Sequence, residues 1–312
     1  MRKDLKTCLA AGLMAIFGQQ ASAINIEFDY SFDTNNFFNT QVRKDALNAA
    51  GTFFGDIIQD NLTAINSGGS NHFNAVFSNP ANGLNTTITD FSVGADTLIV
   101  YAGGRMLSGN ALGVGGPGVF SVSGSTAFFN NAVTRGETPG TSGVQGGAAT
   151  DFAPWGGSVS FDTGTNWYFD QDVSSSGDAI DNDFFSIALH ELGHVLGIGL
   201  ADSWDNLVSG ADFTGVASSA VFSGAVPLSG DLAHWADGTT GLFNGTFQEA
   251  AMDPSIQFGT RKLFTDLDLA GLTDVGWEVT SVPVPAAMWS FGSGLIGLVV
   301  TASKRSFCST QA

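Results

Sequence analysis

Cysteine and basic side chains are both scarce in this 312-residue chain, and each shortage excludes something. The two cysteines, Cys8 and Cys308, sit at opposite ends, in segments that read as targeting signals. The body between them carries no thiol. It can form no disulfide even in an oxidising compartment, and it cannot hold itself latent through a cysteine bound to a metal. Lysine and arginine total 11 against 29 acidic residues. Five of the 11 (Arg2, Lys3, Lys6, Lys304, Arg305) are terminal, which leaves Arg43, Lys44, Arg105, Arg135, Arg261 and Lys262 for the body. So acidic a body excludes nucleic acid as a partner, because binding phosphates needs a basic surface. Charged residues make up only 13% while glycine numbers 41, a balance that favours strands and long loops over a helical bundle. No Gly-x-Ser-x-Gly occurs, so the usual marker of a Ser-His-Asp hydrolase is missing.

The ends carry what the body lacks. Arg2, Lys3 and Lys6 precede an apolar run over 9–17, and Ala21-Ser22-Ala23 follows as a small-residue cleavage site. This is the pattern of a secretory signal over 1–23, with a run too short to span a bilayer. At the far end, Val282-Pro283-Val284-Pro285-Ala286 leads into an apolar stretch, 287–302, closed by Lys304 and Arg305. That stretch is just long enough for a transmembrane segment with its basic end in the cytoplasm. The arrangement resembles the PEP-CTERM sorting signals of Gram-negative bacteria, with Val284 where the commonest form has Glu. The resemblance implies an exosortase-type processing enzyme, delivery to the cell surface or extracellular matrix, and membrane contact only through the tail. The expected organisation is a signal peptide at 1–23, one domain at 24–281 and a sorting signal at 282–312. A body of about 255 residues is large enough for one good core.

Within the body, alternation at Ile24, Ile26, Phe28 and Tyr30 predicts a half-buried strand. Helical spacing from Ala46 to Ile65 predicts one long amphipathic helix over 42–65, with Gly51 and Gly55 as weak points. Strands are expected at 85–91 and 95–101. The region 102–155 shows little periodicity and reads as a long loop or short irregular strands. Residues 158–161 and 167–169 read as two short strands forming a hairpin. A helix over 184–196 is capped by Asn182 or Asp183 and ended by Gly197 and Gly199. Another over 263–275 is capped by Thr265 and Asp266.

The first of those two helices carries the chemistry. It reads His190-Glu191-Leu192-Gly193-His194-Val195-Leu196-Gly197, that is, H-E-x-x-H-x-x-G. Residues four apart share a helix face, so His190 and His194 can offer two imidazole nitrogens to one ion. Glu191 is placed to reach a water on that ion and to act as general base. Only four histidines occur in the chain, and two fall in this one turn.

H-E-x-x-H-x-x-G resembles the opening of the metzincin zinc-metalloprotease signature, which usually adds a third His three residues after the Gly. Leu200 stands there and cannot ligate. His234, in Gly230-Asp231-Leu232-Ala233-His234-Trp235, is the candidate third ligand, with 200–233 as an insertion like that of the leishmanolysin branch. Asp202 is the alternative, with Asp205 behind it; His72, in a polar loop, reads as a surface residue. Ala250-Ala251-Met252-Asp253-Pro254 resembles the metzincin Met-turn. The resemblance, over roughly 95–277, implies a matrixin-like α+β fold. That fold has a twisted mixed sheet with a long helix and an active-site helix, then a smaller irregular C-terminal subdomain with a final helix. It also implies Zn2+ as cofactor and a secreted endopeptidase acting on protein or peptide substrates, the peptide pairing with an edge strand at 167–169. Asp162, Asp170, Asp172, Asp178 and Asp181 are candidates for Ca2+, though not at EF-hand spacing. The competing reading is a non-catalytic, metal-binding surface or matrix protein on a protease fold. The retained Glu191 argues against it.

Overall fold

The computed structural model describes residues 24–137, 140–141, 149–170 and 180–280. The signal at 1–23, the sorting tail at 282–312, Asp172 and Asp178 lie outside the described residues. In chain order the first half supplies β1 (Asn25–Asp29), α1 (Gln41–Ile57), β2 (His72–Ser78), β3 (Asn85–Ile88), β4 (Thr97–Arg105), β5 (Gly113–Pro117), β6 (Val119–Ser123) and α2 (Thr126–Thr134). The short β7 (Gly140–Thr141) and β8 (Asp151–Phe152) precede β9 (Gly156–Asp162), β10 (Trp167–Tyr168), β11 (Asn182–Asp183) and α3 (Phe184–Val195). After α3 come α4 (Asp202–Asp205), β12 (Val208–Ser209), β13 (Asp212–Phe213), α5 (Val216–Phe222) and β14 (Val226–Pro227). The hairpin β15 (Thr240–Phe243) and β16 (Thr246–Glu249) and the helix α6 (Asp266–Val275) complete the chain.

The protein is α+β. Its main sheet has the order β1-β4-β9-β5, parallel except at β5, which runs antiparallel along the edge. Strand β4 is buried on both faces because each face meets a different layer. Leu98, Val100 and Ala102 join the core under α1 and α3, while Tyr101 joins a second core. That second core is closed by a smaller sheet, β3-β2-β6, and by α2. Alternation along β2 sends Phe73, Ala75 and Phe77 inward and leaves His72 exposed, where its Nδ1 pairs with Asp90 at 2.6 Å. Buried Arg135, at the end of α2, donates to the carbonyls of Thr63, Gly94, Thr97 and Pro154 and so staples α2 to the sheet.

Three sequence expectations change. The long helix stops at Ile57, not at 65, because tertiary partners take over: Gln59 N–H donates to Glu278 O, and Leu62 and Ile65 are buried in extended chain. The region 102–155 holds short strands, β5 and β6 among them, as one of its two readings expected, but also a helix that periodicity misses, α2, whose Ser125 side chain accepts from Phe128 N–H as an N-cap. Residues 158–161 and 167–169 form no hairpin, since β9 lies between β4 and β5 and β10 pairs with β11. Among the described residues no helix is long and apolar enough to cross a membrane.

Candidate metal centre

Helix α3 starts where Asp183 caps it, Oδ2 accepting from Ser186 N–H at 3.0 Å. The same buried carboxylate takes a two-pronged contact from Arg261, with Nη2 at 2.7 Å and Nε at 2.9 Å. Ser186 Oγ then accepts from Lys262 N–H at 2.8 Å. The start of α3 is thereby tied to the chain that follows the Met-containing turn. At the other end Gly197 takes a left-handed φ of 100°, which carries Ile198 O back over His194. Gly199, at φ 76°, approaches so closely that a Cβ would overlap the backbone of Ala233, the residue before His234. Two glycines therefore fix how the insertion returns to the helix.

His190, His194 and His234 converge. Their Nε2 atoms are 3.2 Å (190 to 194), 3.0 Å (194 to 234) and 3.2 Å (190 to 234) apart. Each Nδ1 has its own acceptor: Ala251 O at 2.7 Å, Ile198 O at 2.8 Å and Asp231 Oδ2 at 2.9 Å. A proton on each Nδ1 leaves a lone pair on each Nε2. At His190 and His194 protonation does not relieve the crowding, because burial lowers the His190 pKa to about 4 and takes His194 well below its usual value. Three lone pairs at this distance call for a cation between them. A tetrahedral zinc with Zn–N near 2.0–2.1 Å places its nitrogens about 3.3 Å apart, so the donor set fits zinc.

The supporting shell is specific. Burial opposes ionisation of Asp231, yet the Ser229 hydroxyl, Ala233 N–H and His234 bring its pKa down to about 2. Met252 is fully buried under the motif, and a Cβ on Gly193 would come within 2.5 Å of its sulfur. The turn holding Met252 hangs on Asp268 of α6, which accepts from Ala251 N–H at 2.8 Å, Met252 N–H at 3.1 Å and Trp235 Nε1–H at 3.0 Å. Thr265 and Asp268 also form a reciprocal capping box.

Glu191 lies beside the three histidines in a cleft of about 510 Å³. It is 5% exposed, and burial raises its carboxyl pKa to about 8 although Gly115 N–H donates to it. That contact requires glycine: a Cβ on Gly113 or Gly115 would overlap Glu191. The edge strand beside the cleft is thus β5, not 167–169, whose Trp167 and Phe169 pack against Phe184 at the start of α3.

Residues 127–209 match the family model of the matrixins. The match spans α2, β9 and α3, with His190, Glu191 and His194, and ends before His234 and Met252. It supports a metzincin-like zinc metallopeptidase. No curated protein and no solved structure matches the chain.

Asp202 and Asp205 lie on α4 and are not in the histidine group. Of the calcium candidates, Asp162 is engaged by Leu107 N–H, Gly164 N–H and the Thr165 hydroxyl, and Asp170 by Arg261. Among the described residues the one acidic group close enough to share an ion is Asp60, Glu137 and Asp151, which sequence reading did not single out. It also passed over β5, Asp231 and Asp268. The Gly113-Val114-Gly115-Gly116 run was the available signal for the first, and Asp231 stands three residues before His234.

Proposed function

We propose that the protein is a secreted or surface-displayed zinc-dependent endopeptidase, with His190, His194 and His234 as ligands and Glu191 as general base. The convergence of three Nε2 lone pairs beside a buried carboxylate in an open cleft carries this reading. Zinc, when bound, would polarise a peptide carbonyl and lower the pKa of water towards ~7. The chain's own residues do the rest. An extended peptide pairs with the outer edge of β5 and passes over the cleft. Glu191 accepts a proton from the attacking water and delivers it to the leaving amide nitrogen.

The organisation proposed from the sequence, a signal at 1–23, the catalytic domain at 24–281 and a sorting tail at 282–312 handled by an exosortase-type enzyme, gives such a peptidase its route to the surface. Hydrolysis of unfolded casein by the zinc-loaded chain tests the activity. Bound zinc with no cleavage at any pH between 5 and 9 would favour the non-catalytic scaffold instead.

A further inference from the structure

The body of the protein has six basic side chains, and five are engaged. Arg43 stacks on Phe37 and Phe169, and Lys44 lies over Tyr30. Arg135 is spent on carbonyls, Arg261 on Asp170 and Asp183, and Lys262 on Glu249 and Asp253. Arg105 differs. Its hydrogen bonds are two long ones from Nη1, at 3.4 Å to Asn79 O and to Pro80 O, and it makes no ion pair among the described residues. The carboxylate at the matching register position on β9, Asp162, is engaged by Leu107 N–H, Gly164 N–H and the Thr165 hydroxyl. Burial lowers the Arg105 pKa, which is the cost of a cation held partly out of water without a counter-charge.

Arg105 lines a cavity of about 100 Å³ with the serines Ser78, Ser158 and Ser160. The Ser160 hydroxyl donates to Pro80 O. Val114, Gly115, Gly116 and Pro117 of β5 form the remaining wall, and Val114 and Gly115 also line the metal cleft. The cavity and the cleft are therefore two sides of one edge strand. Successive side chains of a peptide added to β5 point alternately to those two sides.

Building on the reading of the cleft as a peptide site, we propose that Arg105, with Ser78 and Ser158, forms a carboxylate pocket selecting substrates with a Glu or Asp on the face away from the metal. A planar guanidinium matches a carboxylate, and the cavity is large enough for that group. The pocket also gives an acidic protein, with net charge −18, a local means of accepting acidic peptides.

The test uses blocked octapeptides of one apolar-and-Gln sequence in which single Gln residues are replaced by Glu in turn. Binding to the zinc-loaded Glu191→Ala protein is read by fluorescence polarisation, and turnover by the unaltered protein is read separately. At one position or an alternate pair, Glu should bind about tenfold tighter than Gln. Arg105→Gln should abolish that preference, raise KM for the Glu peptide about tenfold with kcat unchanged, and leave the all-Gln peptide within about twofold. Arg105→Lys, with its charge kept, should retain part of the preference and shows that the fold tolerates the change. No Glu preference at any position, or equal losses for Glu and Gln peptides in Arg105→Gln, overturns the pocket. A Glu preference in binding without turnover by the unaltered protein upholds the pocket and overturns the peptidase reading alone.

Discussion

Asp268 accepts the indole N–H of Trp235 at 3.0 Å, which joins the final helix to the residue beside His234. The same carboxylate holds the backbone of Ala251, whose carbonyl orients His190. One buried acid thus braces two of the three candidate ligands from behind. Asp268→Asn puts an amide NH2 where a carboxylate oxygen accepts. It should lower stability by about 2–4 kcal/mol and weaken zinc binding, read by thermal melts with and without zinc. Unchanged melting and zinc affinity would remove Asp268 from the account.

The third ligand is open to direct comparison. His234→Ala should reduce zinc affinity at least a hundredfold in a chelator competition, whereas Asp202→Ala should leave it unchanged. Asp231→Asn, which frees the His234 ring from its acceptor, should cost about 10–100-fold. The reverse order between His234 and Asp202 would transfer the ligand role to α4.

The glycines of β5 make a different kind of claim. Gly115→Ala inserts a Cβ into the backbone of Glu191 and forces the edge strand away from α3. Zinc content should stay at the level of the unaltered protein while kcat/KM falls at least tenfold. A fully active Gly115→Ala protein would show that β5 does not hold Glu191.

Away from the cleft, burial raises the Asp60 and Glu137 pKa values to about 7, with Asp151 raised as well. Raised acid pKa values favour folding while the groups stay protonated. Their contribution is complete below the usual carboxylate range near 4 and is lost as pH rises through about 7. Asp60→Asn should therefore raise the melting temperature by several degrees at pH 8.5 and do little at pH 4.5. Equal effects at both pH values would contradict the assignment.

The legible part of this protein was the part specified locally. The cap Asp183, the spacing of His190 and His194 and the stop at Gly197 all fall within about fifteen residues and follow from helix geometry. His234, 40 residues from His194, could be named as a candidate because histidine is so rare here that few alternatives existed. The end of α1 was not legible, since a strand-like contact with Glu278 sets it from the far end of the domain. Strand β5 escaped for another reason. It works through backbone N–H groups and the absence of side chains, so it leaves no periodic pattern. Helix α2 is nine residues long, too short for its apolar spacing to stand out from the surrounding Ser, Asn and Gly.

The most direct test of the central claim measures zinc content and casein hydrolysis together, on the full chain and on Glu191→Ala. The account predicts one zinc per chain in both proteins, cleavage by the first, and a loss of at least a thousandfold in the second. Bound zinc with equal activity in both would contradict the role of Glu191. An absence of zinc from the unaltered chain would contradict the metal centre itself.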